Sequence, residues 1–95
     1  MVTNLISPYS NNPVVNQFVI TGNSRITFQS YKTLICQIKQ NHRPTLAPNS
    51  WDISTTTSKY LYAFLRQNGY YVRNKKDLKK MIKDKRFRIA EIKNV

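Results

Sequence analysis

Apolar and polar residues alternate over residues 14–29, on both sides of the turn residues Thr21-Gly22-Asn23-Ser24. Glycine and asparagine in such a turn tolerate positive φ, and alternation on both sides of it is typical of two antiparallel strands. The pattern therefore predicts a β-hairpin over residues 14–29. Phe18, Ile26 and Phe28 are the side chains that we expect to face the core.

Residues 31–40 fit two different periods. Apolar residues at positions 31, 34, 35 and 38 follow helical spacing, whereas those at 34, 36 and 38 follow the alternation of a strand. Taken alone, the periodicity favours a helix. A strand at this place, followed by a turn at residues 41–44 and a short strand at residues 45–47, would extend the hairpin into a meander.

The longest predicted element is a helix over residues 55–68. The hydroxyl-rich segment Ser54–Ser58 supplies oxygen atoms that can cap the start of a helix. Leu61, Phe64 and Leu65 then fall on one face, and Gly69 follows where a left-handed C-cap residue is favoured. Trp51 is expected to pack where this helix begins.

A second helix is predicted over about residues 75–84. Asn74 suits the N-cap position, and Asp77 suits the third helical position, in a pair that resembles a capping box. Leu78, Met81 and Ile82 form its apolar face. Residues 86–93 fit a short final strand, with a continuation of the helix as the alternative.

These elements together predict an α+β fold. A small antiparallel sheet, as a hairpin or a meander, packs against the helix at about 55–68, with the helix at about 75–84 outside and a short C-terminal strand. Residues 1–13 hold two prolines and few large apolar side chains, so we expect a loose N-terminal arm or an extension of the sheet edge. Residues 14–95 would form a single small domain. No stretch has the length of a membrane span, and no secretion signal is apparent.

Charge changes this picture in the last quarter of the chain. Sixteen Lys and Arg residues stand against four acids, a net charge of +12. Residues 73–95 contain ten of the basic residues and three of the acids, a net charge of +7. The five lysines of the helix at 75–84 fall within an arc of about 140°, opposite the apolar face. Like charges spaced in this way repel one another, so the arrangement favours an anionic partner over a solvated face of mixed sign.

Lysine-rich surfaces bind the phosphate backbone without reading sequence, which makes nucleic acid the first candidate partner and an acidic protein surface the second. Tyr70 and Tyr71 are candidates to stack on unpaired bases, although adjacent tyrosines after a helix commonly pack half in the core. The residues predicted to contact nucleic acid or an acidic partner are Arg73, Lys75, Lys76, Lys79, Lys80, Lys83, Lys85, Arg86 and Arg88.

Catalytic chemistry is not expected. Cys36 is the single cysteine, so no internal disulfide can form, and it lies in a predicted core element. His42, the single histidine, lies in a predicted turn. One cysteine and one histidine do not make a zinc site without carboxylates, the four acids are scattered, and no Gly-rich phosphate loop occurs. We expect a non-enzymatic protein without a cofactor or a metal.

Two segments resemble a family of small uncharacterised bacteriophage and mobile-element proteins. The first is Phe28-Gln29-Ser30-Tyr31 with the apolar alternation at 34–38; the second runs from Trp51 through Asp52, Ser54 and Thr55-Thr56-Thr57 to Lys59-Tyr60, with Phe64-Leu65 following. The family pattern reads FQSY, an alternating stretch, WDYSxTTxK and FL, and Ile53 replaces its usual tyrosine. The resemblance implies a strand, not a helix, at residues 33–39 and a phage setting. It brings no functional residues with it.

The function that fits these expectations is that of a phage-encoded accessory protein. It would hold the nucleic-acid backbone through its basic C-terminal helix and tail, in the cytoplasm of a bacterial host. The alternative is an anti-defence inhibitor, like an anti-CRISPR protein, that binds a host immune protein or its nucleic-acid complex. A structural virion component is a third hypothesis. A membrane partner is not expected, because no predicted helix is both strongly basic and rich in large exposed apolar residues.

Overall fold

The computed structural model describes all residues from Met1 to Val95 and contains one six-stranded sheet and two helices. The elements are β1 (Val2–Ile6), β2 (Pro13–Gly22), β3 (Arg25–Ser30), β4 (Thr33–Lys39), β5 (Thr45–Leu46), α1 (Thr55–Gln67), α2 (Lys75–Lys83) and β6 (Arg88–Ile89). The strands lie in the sheet in chain order; all neighbours are antiparallel except β5 and β6, which are parallel. The predicted α+β fold is confirmed. Neither helix has the length and apolar character that a membrane crossing requires.

The predicted hairpin is formed by β2 and β3, and its register corrects one core residue. Gly22 pairs with Arg25, which leaves the two-residue turn Asn23-Ser24. A two-residue turn pairs each even-numbered residue with an odd-numbered one, so Phe28 lies opposite Val19 and on the same face. The prediction that Phe18 shares the core with Phe28 is therefore wrong. Val19 packs against the core, and Phe18 lies on the other face of the sheet.

Residues 33–39 form the strand β4, as the resemblance implied, and not the helix that periodicity favoured. Phe28 pairs with Cys36 and Gln29 pairs with Leu34, so Ile35 is an extra residue in β4, a β-bulge. Ile35 and Cys36 are consequently both 0% exposed. Two successive buried residues interrupt the alternation of a strand and imitate the spacing of a helix. The short strand predicted after the next turn is β5, which pairs with β4 and completes the meander.

Residues 1–13 contain the edge strand β1, so of the two arrangements expected there, the extension of the sheet edge is present and the loose arm is not. Within β1 only Leu5 is buried, and it belongs to the core. The side-chain amide of Gln67 in α1 donates a hydrogen bond of 2.9 Å to the carbonyl of Ile6. Because only one residue of this strand is buried, the sequence shows almost no alternation of apolar and polar residues that would predict the strand.

Helix α1 packs on the sheet through the predicted face. Leu61, Phe64 and Leu65 are 0% exposed, and the rings of Phe64 and Phe28 stack with centroids 5.5 Å apart. At the C-terminal end Gly69 adopts a φ of 89°, and the N–H of Tyr70 donates to the carbonyl of Leu65 at 2.9 Å. These are the features of a Schellman cap, as Gly69 predicted.

The segments around Ser30 and around Ser54–Thr57 meet where β3 ends and α1 begins. The hydroxyl oxygens of Ser30 and Thr57, both buried, lie 3.1 Å apart. The hydroxyl of Ser54 caps α1 by accepting a hydrogen bond of 3.1 Å from the N–H of Thr57. The side chain of Gln29 donates to the carbonyl of Tyr31 at 2.7 Å, which supports Tyr31 in a left-handed conformation with φ of 56°. These residues therefore form the contact between the end of β3 and the first turn of α1.

The chain after α2 returns to the sheet. Phe87 is 2% exposed and anchors this segment in the core. The predicted final strand is the two-residue strand β6, which lies beside β5. Farther on, the side-chain amide of Gln37 in β4 donates a hydrogen bond of 2.6 Å to the carbonyl of Asn94. Residues 70–72, between the two helices, form no strand, although Val72 is fully buried.

Candidate nucleic-acid interface

Helix α2 presents the predicted division between a buried face and a basic face. Asn74 caps it by accepting a hydrogen bond of 2.9 Å from the N–H of Asp77. Leu78 and Met81 are buried and Ile82 is half-buried. All the lysines of the helix are exposed: Lys75, Lys76, Lys79, Lys80 and Lys83.

Two ion pairs neutralise part of this charge at the beginning of α2. The Nζ of Lys75 lies 2.7 Å from Oδ2 of Asp52, and the Nε of Arg73 lies 3.2 Å from Oδ2 of Asp77. The backbone N–H of Arg73, and after it the guanidinium, donate hydrogen bonds to Asp77 and lower the pKa of that carboxyl. The stabilisation from this lowered pKa is present above the ordinary pKa of aspartate and is lost as the pH falls.

The remaining predicted basic residues have no acidic group within 4.0 Å. These seven residues, which we call the unpaired basic set, are Lys76, Lys79, Lys80, Lys83, Lys85, Arg86 and Arg88, and all of them are exposed. None of them is held in an ion pair, so solvent, salt or an anionic partner would lower the electrostatic cost of bringing them together.

The C-terminal cap of α2 fixes the backbone at Lys85 and Arg86, which belong to the unpaired basic set. Lys85 adopts a φ of 60°, and the N–H of Arg86 donates to the carbonyl of Met81 at 2.9 Å, so α2 also ends in a Schellman cap. Arg43, in the turn before β5, donates a hydrogen bond of 3.0 Å to the carbonyl of Lys85. Arg43 could not be assigned to this surface from the sequence, because its proximity to α2 depends on the long-range pairing of β5 with β6.

The adjacent tyrosines differ in their surroundings. Tyr70 is half-buried and its ring meets that of Phe87 edge to face, with centroids 5.5 Å apart. Tyr71 is 72% exposed, and the guanidinium of Arg73 lies 5.3 Å from the centre of its ring. Of the two predicted stacking residues, Tyr71 presents an accessible ring, whereas Tyr70 is packed against the core.

Tyr71 lies between two clefts. One, of about 220 Å³, is lined by Arg66, Gly69, Tyr70 and Tyr71. The other, of about 400 Å³, has Tyr71, Arg73, Lys80 and Arg86 among its lining residues, together with Asp77 and Asp84. An aromatic ring flanked by guanidinium and ammonium groups matches the surfaces on which single-stranded nucleic acid stacks.

A larger cleft, of about 610 Å³, lies where both helices begin. Arg73, which precedes α2, and Lys75 at its first position line this cleft, together with Lys59 from α1 and Asp52. The Nζ of Lys59 lies 4.5 Å from the centre of the Tyr9 ring and 5.3 Å from that of Tyr60. Through these shared residues the basic surface of α2 continues to Lys59, which the sequence alone could not assign to it.

A second group of basic residues lies apart from this surface. Arg25, Lys39, Arg88 and Lys93 line a cleft of about 200 Å³ with Glu91. Lys32 lies in a different cleft, also with Glu91. Arg88 is thus the member of the unpaired basic set that faces Arg25, while Lys32 belongs to neither group.

The residues considered for catalysis lie away from these clefts. Cys36 is fully buried and burial raises the pKa of its thiol, which keeps the sulfur protonated. His42 is exposed in the turn after β4. No group of three or more His, Cys, Asp and Glu side chains is arranged to hold a metal ion.

Comparison with known proteins yields one match. Residues 1–85 match the model of a family described as a family of unknown function (DUF8033). The matched region includes β1 to β5 and both helices, with Lys85 as its last residue. No curated protein and no solved structure matches the chain.

Proposed function

The chain belongs to this family of unknown function, and from its own surface we propose that it is a phage-encoded accessory protein that binds the nucleic-acid backbone in the cytoplasm of a bacterial host. The phage setting rests on the resemblance of its two motif segments. The binding surface consists of the exposed face of α2, Lys85 and Arg86 just after it, and Tyr71, whereas Arg88 lies with the second basic group.

The observation that carries this proposal is the unpaired basic set. Its seven exposed cations lie within residues 76–88, where the acids are Asp77, which pairs with Arg73, and Asp84, which has no cation within 4.0 Å. The phosphates of a nucleic acid would neutralise these cations and so relieve their mutual repulsion. The counterions released from the nucleic acid would add to the free energy of binding.

The type of side chain supports contact with phosphates more than with base edges. Four of the seven cations are lysines of α2. Lysine is a flexible point charge, whereas base edges are commonly read by Arg, Asn or Gln in bidentate geometry. Binding without sequence preference is therefore the proposed mode, with Tyr71 available to stack on a base where the strand is unpaired.

The test replaces Lys76, Lys79 and Lys83 together by Gln. These side chains are exposed, so the variant should fold like the wild type. Affinity for a fluorescent oligonucleotide, measured by anisotropy over a range of salt concentrations, should fall. The slope of log K against log salt should become shallower by up to about 0.9 per duplex phosphate contact removed, or about 0.7 per single-strand contact.

A matched control removes the same amount of charge elsewhere. Lys32, Lys39 and Lys93 are exposed and lie outside the face of α2, and their triple replacement by Gln should leave the salt slope close to that of the wild type. Equal losses in the two triple variants would show that net charge alone governs binding. Wild-type protein that binds no oligonucleotide, or binds it equally at all salt concentrations, would contradict the proposal.

The anti-defence alternative predicts a different partner for the same basic surface. Pull-down from nuclease-treated host lysate distinguishes the two, because nucleic acid is then removed. A stoichiometric host protein that the Lys76, Lys79 and Lys83 variant fails to retain would replace our proposal by the anti-defence one. Presence of the chain in purified particles would support a virion component in its place.

A further inference from the structure

One edge of this basic protein carries no charged side chain. Residues 1–24 contain no Asp, Glu, Lys or Arg, although the whole chain contains sixteen basic and four acidic residues. The first charged residue is Arg25, at the beginning of β3. Residues 1–24 form β1, β2 and the loop between them, and β1 is the outermost strand of the sheet. We call this region the charge-free edge.

The backbone of β1 is open to a further strand. Met1 and Thr21 exchange two hydrogen bonds, each of 2.8 Å. Hydrogen-bonded and non-hydrogen-bonded pairs alternate along an antiparallel ladder, so the N–H and C=O groups of Val2 and Asn4 point away from β2. No strand lies on that side.

The usual protection of an edge strand is almost missing here. Natural edge strands carry lysine, proline or a bulge, or are covered by another element. β1 contains no charged residue and no proline, and Val2 and Ile6 are 61% and 42% exposed. The irregularity in its register falls after Asn4, and Gln67 occupies the carbonyl of Ile6. The segment from Val2 to Asn4 therefore remains unprotected.

We propose that β1 pairs in antiparallel fashion with β1 of a second copy of this chain, about a two-fold axis near Thr3. In that register Val2 lies opposite Asn4 of the second copy, and Asn4 lies opposite its Val2. The outward N–H and C=O groups of both residues then find partners in each pair. A two-fold axis makes one edge complementary to itself, so the same strand supplies both sides of the contact.

Charge favours a second copy over other occupants of this edge. Two molecules of net charge +12 repel each other through most of their surfaces. The charge-free edge is the part of the sheet where they can approach without placing like charges opposite one another. Arg88 lies in β6, at the far end of the strand order. A nucleic acid, in contrast, would find no cation among residues 1–24 except the N-terminal ammonium of Met1.

The first experiment is sedimentation equilibrium of the wild-type chain over a range of protein and salt concentrations. We expect a monomer–dimer equilibrium that shifts toward the dimer as salt rises, because salt screens the repulsion between the two molecules. Nucleic-acid binding has the opposite salt dependence, so failure of one proposal is distinguishable from failure of the other. A monomer at every protein and salt concentration would overturn the inference.

Two variants locate the contact. Val2→Lys places a charge in the pairing segment, diagonally across from the same charge in the second copy, and should weaken dimerisation by about tenfold or more. Val15→Lys adds the same charge at a residue of β2 that is 76% exposed, and should leave dimerisation nearly unchanged. Equal effects of the two substitutions would overturn the proposed site.

Hydrogen exchange of the wild type provides a test that needs no substitution. The amides of Val2 and Asn4 should exchange more slowly as protein concentration rises, since pairing buries both groups. Exchange rates of these two amides that do not depend on concentration would contradict the pairing of β1, even if a dimer forms by another surface.

Discussion

Ser30 and Thr57 are small hydroxyl residues whose contact lies between β3 and the first turn of α1. Each is buried, and each hydroxyl oxygen is the partner of the other at 3.1 Å. The sequence pointed to Thr57 as one of several capping hydroxyls, but the capping oxygen belongs to Ser54. A capping role is local and can be predicted from a run of Ser and Thr. The pairing of Thr57 with a residue of β3 depends on how sheet and helix pack, which the run itself does not encode.

A double-mutant cycle tests this contact. Ser30→Ala and Thr57→Val each leave the other hydroxyl buried without its partner, so each should lower the free energy of unfolding by about 1–3 kcal/mol. The double variant should lose less than the sum of the two, by about 0.5 kcal/mol or more. Urea unfolding followed by circular dichroism measures all four proteins. Additive losses would mean that the two hydroxyls do not interact.

The proposed role of Tyr71 in binding follows from the exposure of its ring. Because its ring is 72% exposed, Tyr71→Ala should change thermal stability little while weakening the binding of single-stranded oligonucleotide by about 1–3 kcal/mol. Duplex binding should be nearly unaffected, since paired bases offer no free face at this surface. Anisotropy titrations with matched single and double strands measure both affinities.

Tyr71→Phe is the control, because it keeps the ring and removes the hydroxyl, and it should bind single strands like the wild type. Equal weakening of single-strand and duplex binding by Tyr71→Ala would show that the ring does not stack on bases. The sequence could not separate Tyr71 from Tyr70. The fold places Phe87 beside Tyr70, and this contact is the reason that the ring of Tyr70 is packed while that of Tyr71 is exposed.

At the scale of elements, the parts that local chemistry determines were predictable. Helix α2 begins at the predicted cap Asn74, α1 begins at Ser54 within the predicted run of capping hydroxyls, and both helices end within one residue of the predicted limits. The strands were harder, because a bulge or a turn changes which residues face inward. The extra residue Ile35 gave β4 the apolar spacing of a helix. The two-residue turn before β3 set a register in which Phe18 lies on the face of the sheet away from the core.

Lys85 offers a test of the cap that ends α2. Its φ of 60° is unfavourable for a residue with a Cβ atom, so Lys85→Gly should raise the free energy of unfolding by up to about 1 kcal/mol. Lys79→Gly, in the middle of α2, removes the same charge and should lower it by about 1 kcal/mol. Thermal denaturation measures both. Destabilisation by Lys85→Gly would show that its side chain contributes more than the strain that it imposes.

At the scale of the whole molecule, charge divides the chain into an uncharged edge and a basic face. Net charge and its concentration near the C-terminus can be read from the sequence. Whether the cations form one surface depends on the fold: Lys59 joins the face of α2 through the cleft at the two helix starts, and Lys32 does not. The salt dependences proposed for oligonucleotide binding and for dimerisation are opposite in sign, because salt weakens the attraction between the basic face and phosphates but also weakens the repulsion between two copies of the chain.

The fully buried thiol of Cys36 has a practical consequence for anyone who handles this protein. The thiolate is the form of cysteine that attacks alkylating reagents, and this sulfur is both unexposed and kept protonated by its surroundings. A reagent therefore reaches it only when the core opens. The rate of labelling, read by mass spectrometry without any engineered probe, therefore measures how often the native molecule opens.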